Sequence, residues 1–159
     1  MVSLLVFAIA AGLAVTLFAR YGRVVRFADE HSQWTSILVA GERMRQELRE
    51  ARVMEVGERE VRLTKLDPQL FEQRLDLDRP ATVAFDPYAD EFMVKVRYSL
   101  LGDQLLRTLE RSGQEPLSAA MVGGLSGLEL GHDGEILTFR LRYKTDTRTH
   151  EVAYLVEMP

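Results

Sequence analysis

The sequence contains no cysteine, so disulfides, thiolate metal sites and cysteine nucleophiles are excluded. That absence fixes no compartment, because an extracytoplasmic domain with a sufficient core needs no disulfide. Aromatic residues are scarce at 8%, with a single tryptophan, and no proline precedes Pro68. A basic excess is missing too: 20 Lys and Arg face 24 Asp and Glu, for a net charge of −4. Such a balance carries no footprint for nucleic acid, which is not expected as a partner. Catalytic patterns are equally sparse. His31, His132 and His150 fall in a helix stripe, a turn and a strand, with no spacing that brings two onto one metal. There is no G-x-S-x-G, and Gly123-Gly124 within V-G-G-L-S-G lacks the Lys-Ser/Thr of a phosphate cradle. Neither an enzymatic activity nor a cofactor is expected. The 159 residues suit one modest domain beside any membrane segment.

What is present is concentrated at the start. Residues 1–19 carry no charge, and the first ionisable side chain is Arg20. As a helix this run spans about 28 Å, close to the ~30 Å hydrocarbon thickness of a bilayer. No basic stretch precedes it and no small-residue cleavage site follows, so it reads as a membrane span and not a cleaved secretory signal. Leu4, Leu5, Phe7, Ala8, Ile9, Gly12, Leu13, Leu17 and Phe18 are its candidate lipid or helix contacts, with Ala8 and Gly12 forming a small-xxx-small pair. Arg20, Arg23 and Arg26 follow at the headgroup level. Taken literally, the positive-inside rule would turn the C-terminal part toward the cytoplasm.

From Tyr21 to Arg52 the apolar pattern becomes striped, with Val24, Phe27, His31, Trp34, Leu38, Gly41, Met44, Leu48 and Ala51 in steps of three and four. The two runs form one expected helix. Phe27, Trp34, Leu38 and Leu48 are expected to pack it on a sheet. After Ala51 the period falls to two. Val53 to Val56 and Arg59 to Leu66 read as a hairpin around Gly57-Glu58; Asp67-Pro68 reads as an N-cap with proline at the first helical position, opening a short helix through Arg74. Further strands are expected at Thr82 to Phe85, Phe92 to Leu100, Gln104 to Glu110, Leu125 to Leu130, Ile136 to Lys144 and Thr149 to Glu157. Ser112 to Gly124 reads as a loop with a helical turn at Leu117 to Met121, and Gly131-His132-Asp133-Gly134 as a turn. The fold class is α+β, a long N-terminal helix on a mostly antiparallel sheet. The division is residues 1–25 as membrane or filament-core helix and 26–159 as soluble domain.

This arrangement resembles the type IV pilin superfamily, whose members carry a basic leader, a G-F-T-L-x-E cleavage site and an apolar helix. Met1-Val2-Ser3-Leu4-Leu5-Val6-Phe7-Ala8-Ile9-Ala10 is similar to the opening of such helices with the first residues missing. Met44 to Ala51 (M-R-Q-E-L-R-E-A) is similar to the L-x-x-D-L-R-x-A helix end of minor pseudopilins of the J type and related minor pilins. Val96-Arg97-Tyr98-Ser99-Leu100 with Leu105-Leu106-Arg107 resembles their V-x-Y-x-L…L-x-R hairpin, and Val122 to Leu130 with Phe139 to Tyr143 their closing strands. The resemblance implies a pilin-like structural subunit that starts or caps a type II secretion pseudopilus or type IV pilus. It implies a single-pass inner-membrane location with the soluble domain in the periplasm or at a filament tip. Implied partners are other minor pseudopilins or pilins, the major subunit, the inner-membrane assembly platform and, for a chain with a leader, the prepilin peptidase. Met1 is then expected to be an internal methionine; about six further residues would lengthen the span to ~37 Å, and a leader would reverse the orientation conflict.

Rival readings attach to particular residues. The three arginines can snorkel at the headgroups, or one can pair with an acid on a neighbouring subunit. Asp86, Asp90 and Glu91 surround a turn and offer hard oxygens to calcium, yet lack EF-hand spacing and read as a solvated acidic loop. A single-pass membrane-anchored scaffold held by a coiled coil is disfavoured by His31 and Gly41 at the seam. A membrane-anchored binding module with a periplasmic domain would use the Ser112 to Gly124 stretch.

Overall fold

A computed structural model describes residues 2–70, 89, 92–145 and 148–159, with the side chains of 2–14 and 23 outside the description. The proline-free stretch at the start of the chain, rich in Ala, Leu and Arg, becomes a single α-helix, α1 (Val2–Arg49), with Arg49 in its last turn, where a cation complements the helix dipole. The chain tightens as it leaves α1, since Ala51 N–H reaches back three residues to the Leu48 carbonyl, and Arg52 N–H already donates to Thr64 in the sheet. Residues 1–36 and 37–159 form two compact units. The sequence division at 25 and 26 marks a different property, the end of the uncharged run and its arginine row.

The second unit holds the last turns of α1 and all the described strands. Five strands, β1 (Val53–Val56), β2 (Glu60–Leu66), β3 (Met93–Leu101), β4 (Gln104–Glu110) and β5 (Leu117–Val122), make one sheet in chain order. Three more, β6 (Leu125–His132), β7 (Ile136–Lys144) and β8 (Thr149–Glu157), make a second. Every described pairing is antiparallel, so α+β holds, with two sheets in place of the one expected. Strict alternation in β3 and β7 puts Val94, Val96, Tyr98, Leu137, Phe139, Leu141 and Tyr143 into the core. Gly102, at φ 62°, opens the two-residue turn between β3 and β4, where a positive φ first central residue matches the strand twist.

Two expectations need correction. Leu117 to Met121 is no helical turn but most of β5, paired with β4 from Leu109↔Leu117 to Leu105↔Val122 around a bulge. Its first four residues are exposed on both faces, so no alternation marked it as a strand. Gly131 and His132 belong to β6 and pair with Thr138 and Leu137, which shortens the turn to Asp133, Gly134 and Glu135. The Asp67 cap is present: its carboxylate accepts the Gln69 N–H at 3.1 Å, ahead of a helical turn at 68–70. The continuation to Arg74 and the strand at Thr82 to Phe85 lie outside the described residues.

Candidate functional site

The buried stripe of α1 starts at Ile37 and runs through Ala40, Gly41, Met44, Glu47 and Leu48 to Ala51. Six of these positions are apolar or glycine, as a face on a sheet requires; Glu47 is the exception at 8% exposure. Its carboxylate is fully engaged. Tyr98 Oη donates to Oε2 at 2.6 Å, and Arg107 closes a two-pronged contact, Nε to Oε2 and Nη2 to Oε1, both at 2.9 Å. Lys65 Nζ stands 3.9 Å from Oε1 and donates to Glu50 at 2.8 Å. Burial raises the Glu47 carboxyl, but the hydrogen bonds from Arg107 and Tyr98 and the charges of Arg107 and Lys65 outweigh it and hold it below the ordinary range. Burial, then the Glu47 hydrogen bond and charge, push the Tyr98 hydroxyl far up, so it stays a donor. Burial lowers Arg107, and Glu47 more than restores it. The cluster contains no nucleophile and no vacant acceptor; what it can do is lock the end of α1 onto β2, β3 and β4.

A second lock joins α1 to the other sheet. Tyr154 of β8 donates to the Leu38 carbonyl at 3.2 Å and stacks on Phe139 at 4.8 Å. Its ring passes so close to Gly41 that a Cβ there would lie 2.5 Å from Cε2 and Oη. Gly41, read from sequence as a weak coiled-coil seam position, is a packing glycine. Asp67 is a further buried carboxylate, 4% exposed, held by Arg111 Nε at 2.6 Å.

The first unit presents the opposite chemistry. Val15, Leu17, Phe18, Tyr21 and Val24 are 65–77% exposed in a helix that buries no described residue before Ile37. Arg20 and Arg26 are exposed among them. Phe27, expected against a sheet, is 72% exposed because the buried stripe begins ten residues later; its ring faces His31 at 6.2 Å instead. Trp34 and Leu38 are half-buried and Leu48 is fully buried. The side chains of Leu4, Leu5, Phe7, Ala8, Ile9, Gly12, Leu13 and Arg23 lie outside the described residues, as do Asp86, Asp90 and Glu91. Among the described residues no helix is long and apolar enough to cross a membrane, and no group of three His, Asp or Glu is placed to hold a metal ion.

Comparison with protein-family models and with curated proteins returned no match. The geometry nevertheless brings together residues that sequence reading had quoted separately. Glu47, from the helix end, and Tyr98 and Arg107, from the hairpin, meet in one cluster across 51 and 60 residues of chain. The signal that would have found them is a carboxylate set among Met44, Leu48 and Ala51 on an apolar face, which must have a cation partner. Lys65 and Tyr154 carried no comparable signal. His132 ends β6 exposed, and His150 stacks on Tyr143 at 4.8 Å.

Proposed function

We propose that the chain is a non-enzymatic minor pilin or pseudopilin, a structural subunit that helps start or cap a type II secretion pseudopilus or a type IV pilus. In this reading the N-terminal half of α1 is held in the inner membrane before assembly and in a bundle of neighbouring helices afterwards, while residues 37–159 stand in the periplasm or at the filament tip. One observation carries it: the row Val15, Leu17, Phe18, Tyr21 and Val24 leaves large apolar surface uncovered by this chain. Water is a poor solvent for such a row, and lipid or partner helices satisfy the same surface. The locks at Glu47 and Gly41 support the reading, because a subunit pulled through its helix needs the helix end fixed to its domain. Arg20 and Arg26, exposed beside that row, would in this reading meet headgroups or an acidic residue on a neighbouring subunit.

The test is photo-crosslinking in the native strain with a photoreactive residue at Leu17 or Phe18. Adducts with other pilin-like subunits, together with loss of secretion or piliation in a deletion strain, are the expected result. Lipid-only adducts and a deletion strain that secretes and piliates normally would instead favour a membrane-anchored scaffold or binding module.

A further inference from the structure

The face of the five-stranded sheet opposite Val94, Val96 and Tyr98 carries a feature that the subunit reading leaves unused. Arg62 and Arg97 are direct cross-strand partners between β2 and β3, and Thr64 and Lys95 are the next pair on that face. Like charges placed directly opposite oppose the pairing they sit on. Arg62 is relieved within its own strand by Glu60 at 2.5 Å. Arg97 has no such relief: its Nε is buried without an acceptor, and among the described residues it forms no ion pair. Buried donors in folded proteins are almost always satisfied, so an orphan guanidinium N–H marks a place where an acceptor is missing. Arg62, Lys95 and Arg97 line one pocket of about 250 Å³, with Glu55 and Glu110 also in its wall.

We infer that this pocket binds a single carboxylate, with the Arg97 guanidinium as its fork and Lys95 and Arg62 as flanking charges. The two glutamates decide the class of anion. A phosphate dianion would face Glu55 and Glu110 with twice the charge, whereas a planar monoanion matches a guanidinium fork and adds one negative charge beside Arg97 and Lys95, Arg62 being already paired with Glu60. The carboxylate has two possible sources, a free small acid or an aspartate or glutamate side chain of another protein chain. The pocket lies wholly within residues 37–159, so its test is independent of the filament reading.

The experiment uses the full chain, labelled with ¹⁵N-arginine, in micelles of a neutral detergent. Sodium acetate is titrated against sodium chloride at matched ionic strength, and the arginine Nε–Hε signals are followed by NMR. The signal that disappears in Arg97→Gln is expected to shift saturably with acetate and to stay still in chloride. Lys95→Met should weaken acetate binding several-fold while keeping the Arg97 signal, which preserves a readout should Arg97→Gln fold poorly. A glycyl-aspartyl-glycine peptide blocked at both ends supplies the second arm: saturation at a lower concentration than acetate assigns a protein side chain, and saturation by acetate alone assigns a free acid. An Arg97 signal that neither probe moves, or that chloride moves equally, overturns the proposal.

Discussion

Replacing Glu47 by glutamine tests whether the buried ionic lock holds α1 on its sheet. Glutamine keeps the shape and one acceptor oxygen but removes the charge. Arg107 then remains in its pocket with a side chain only 15% exposed and no carboxylate to neutralise it. Breaking one half of a buried pair costs about 3–5 kcal/mol, and the residual exposure of Arg107 points to the lower end, about 3 kcal/mol. A domain of this size loses roughly 3–5 °C in Tm per kcal/mol, so Glu47→Gln should melt about 10–15 °C below the parent at pH 7. Near-ultraviolet circular dichroism reports it, since Tyr98 lies in the lost packing. The pH dependence follows from the sign of the shift. A carboxyl held below its unfolded-state value contributes stability that is complete above the ordinary glutamate range and is lost as pH falls through the depressed value. The parent should therefore lose its advantage over Glu47→Gln on acidification below that range, and the two melting curves should converge. Replacing both partners, Glu47→Leu with Arg107→Leu, should cost less than the sum of the single changes, because no unpaired charge is left. A Glu47→Gln variant that melts within 2 °C of the parent, or a double change that is simply additive, would refute the lock.

Gly41→Ala gains about 1 kcal/mol of helix propensity in isolation but drives a methyl into the Tyr154 ring, so a net loss of about 1–2 kcal/mol in thermal or denaturant unfolding is expected, relieved by adding Tyr154→Leu. Leu13→Arg, in the middle of the uncharged run, costs about 3 kcal/mol on insertion scales; membrane retention or assembly should fail in fractionation and secretion assays while the melting transition of residues 37–159 is unchanged. Replacing His31, His132 or His150 singly by asparagine should leave secretion or piliation intact at normal protein abundance, since the His31 and His150 rings stack on Phe27 and Tyr143, His132 is exposed, and no chemistry is assigned to any of the three.

Much of the fold is written in local periodicity, and the reason is geometric. β7 and β8 begin and end where the alternation of the sequence begins and ends, since a strand with one face in a core must repeat every two residues. Met44, Leu48 and Ala51 announce a buried helix face by the same logic at period 3.6, and Asp67-Pro68 announces its cap through chemistry confined to three residues. β5 is silent because an exposed edge strand has no core face to alternate toward; pairing with β4, and not its own composition, makes it a strand. Phe27 shows the converse: an apolar residue in helical step with the stripe says nothing about where burial begins. Sequence alone thus determined that the uncharged run of residues 1–19 needs a partner; it also holds, as signals legible only in retrospect, the Glu47 carboxylate on an apolar stripe and Gly41 among large neighbours. Only the tertiary structure decided who the partners are. Arg107 reaches Glu47, Tyr154 crosses Gly41 and the Arg97 Nε is buried without an acceptor, because those outcomes depend on sheet register and close approach between elements tens of residues apart, which no local pattern encodes.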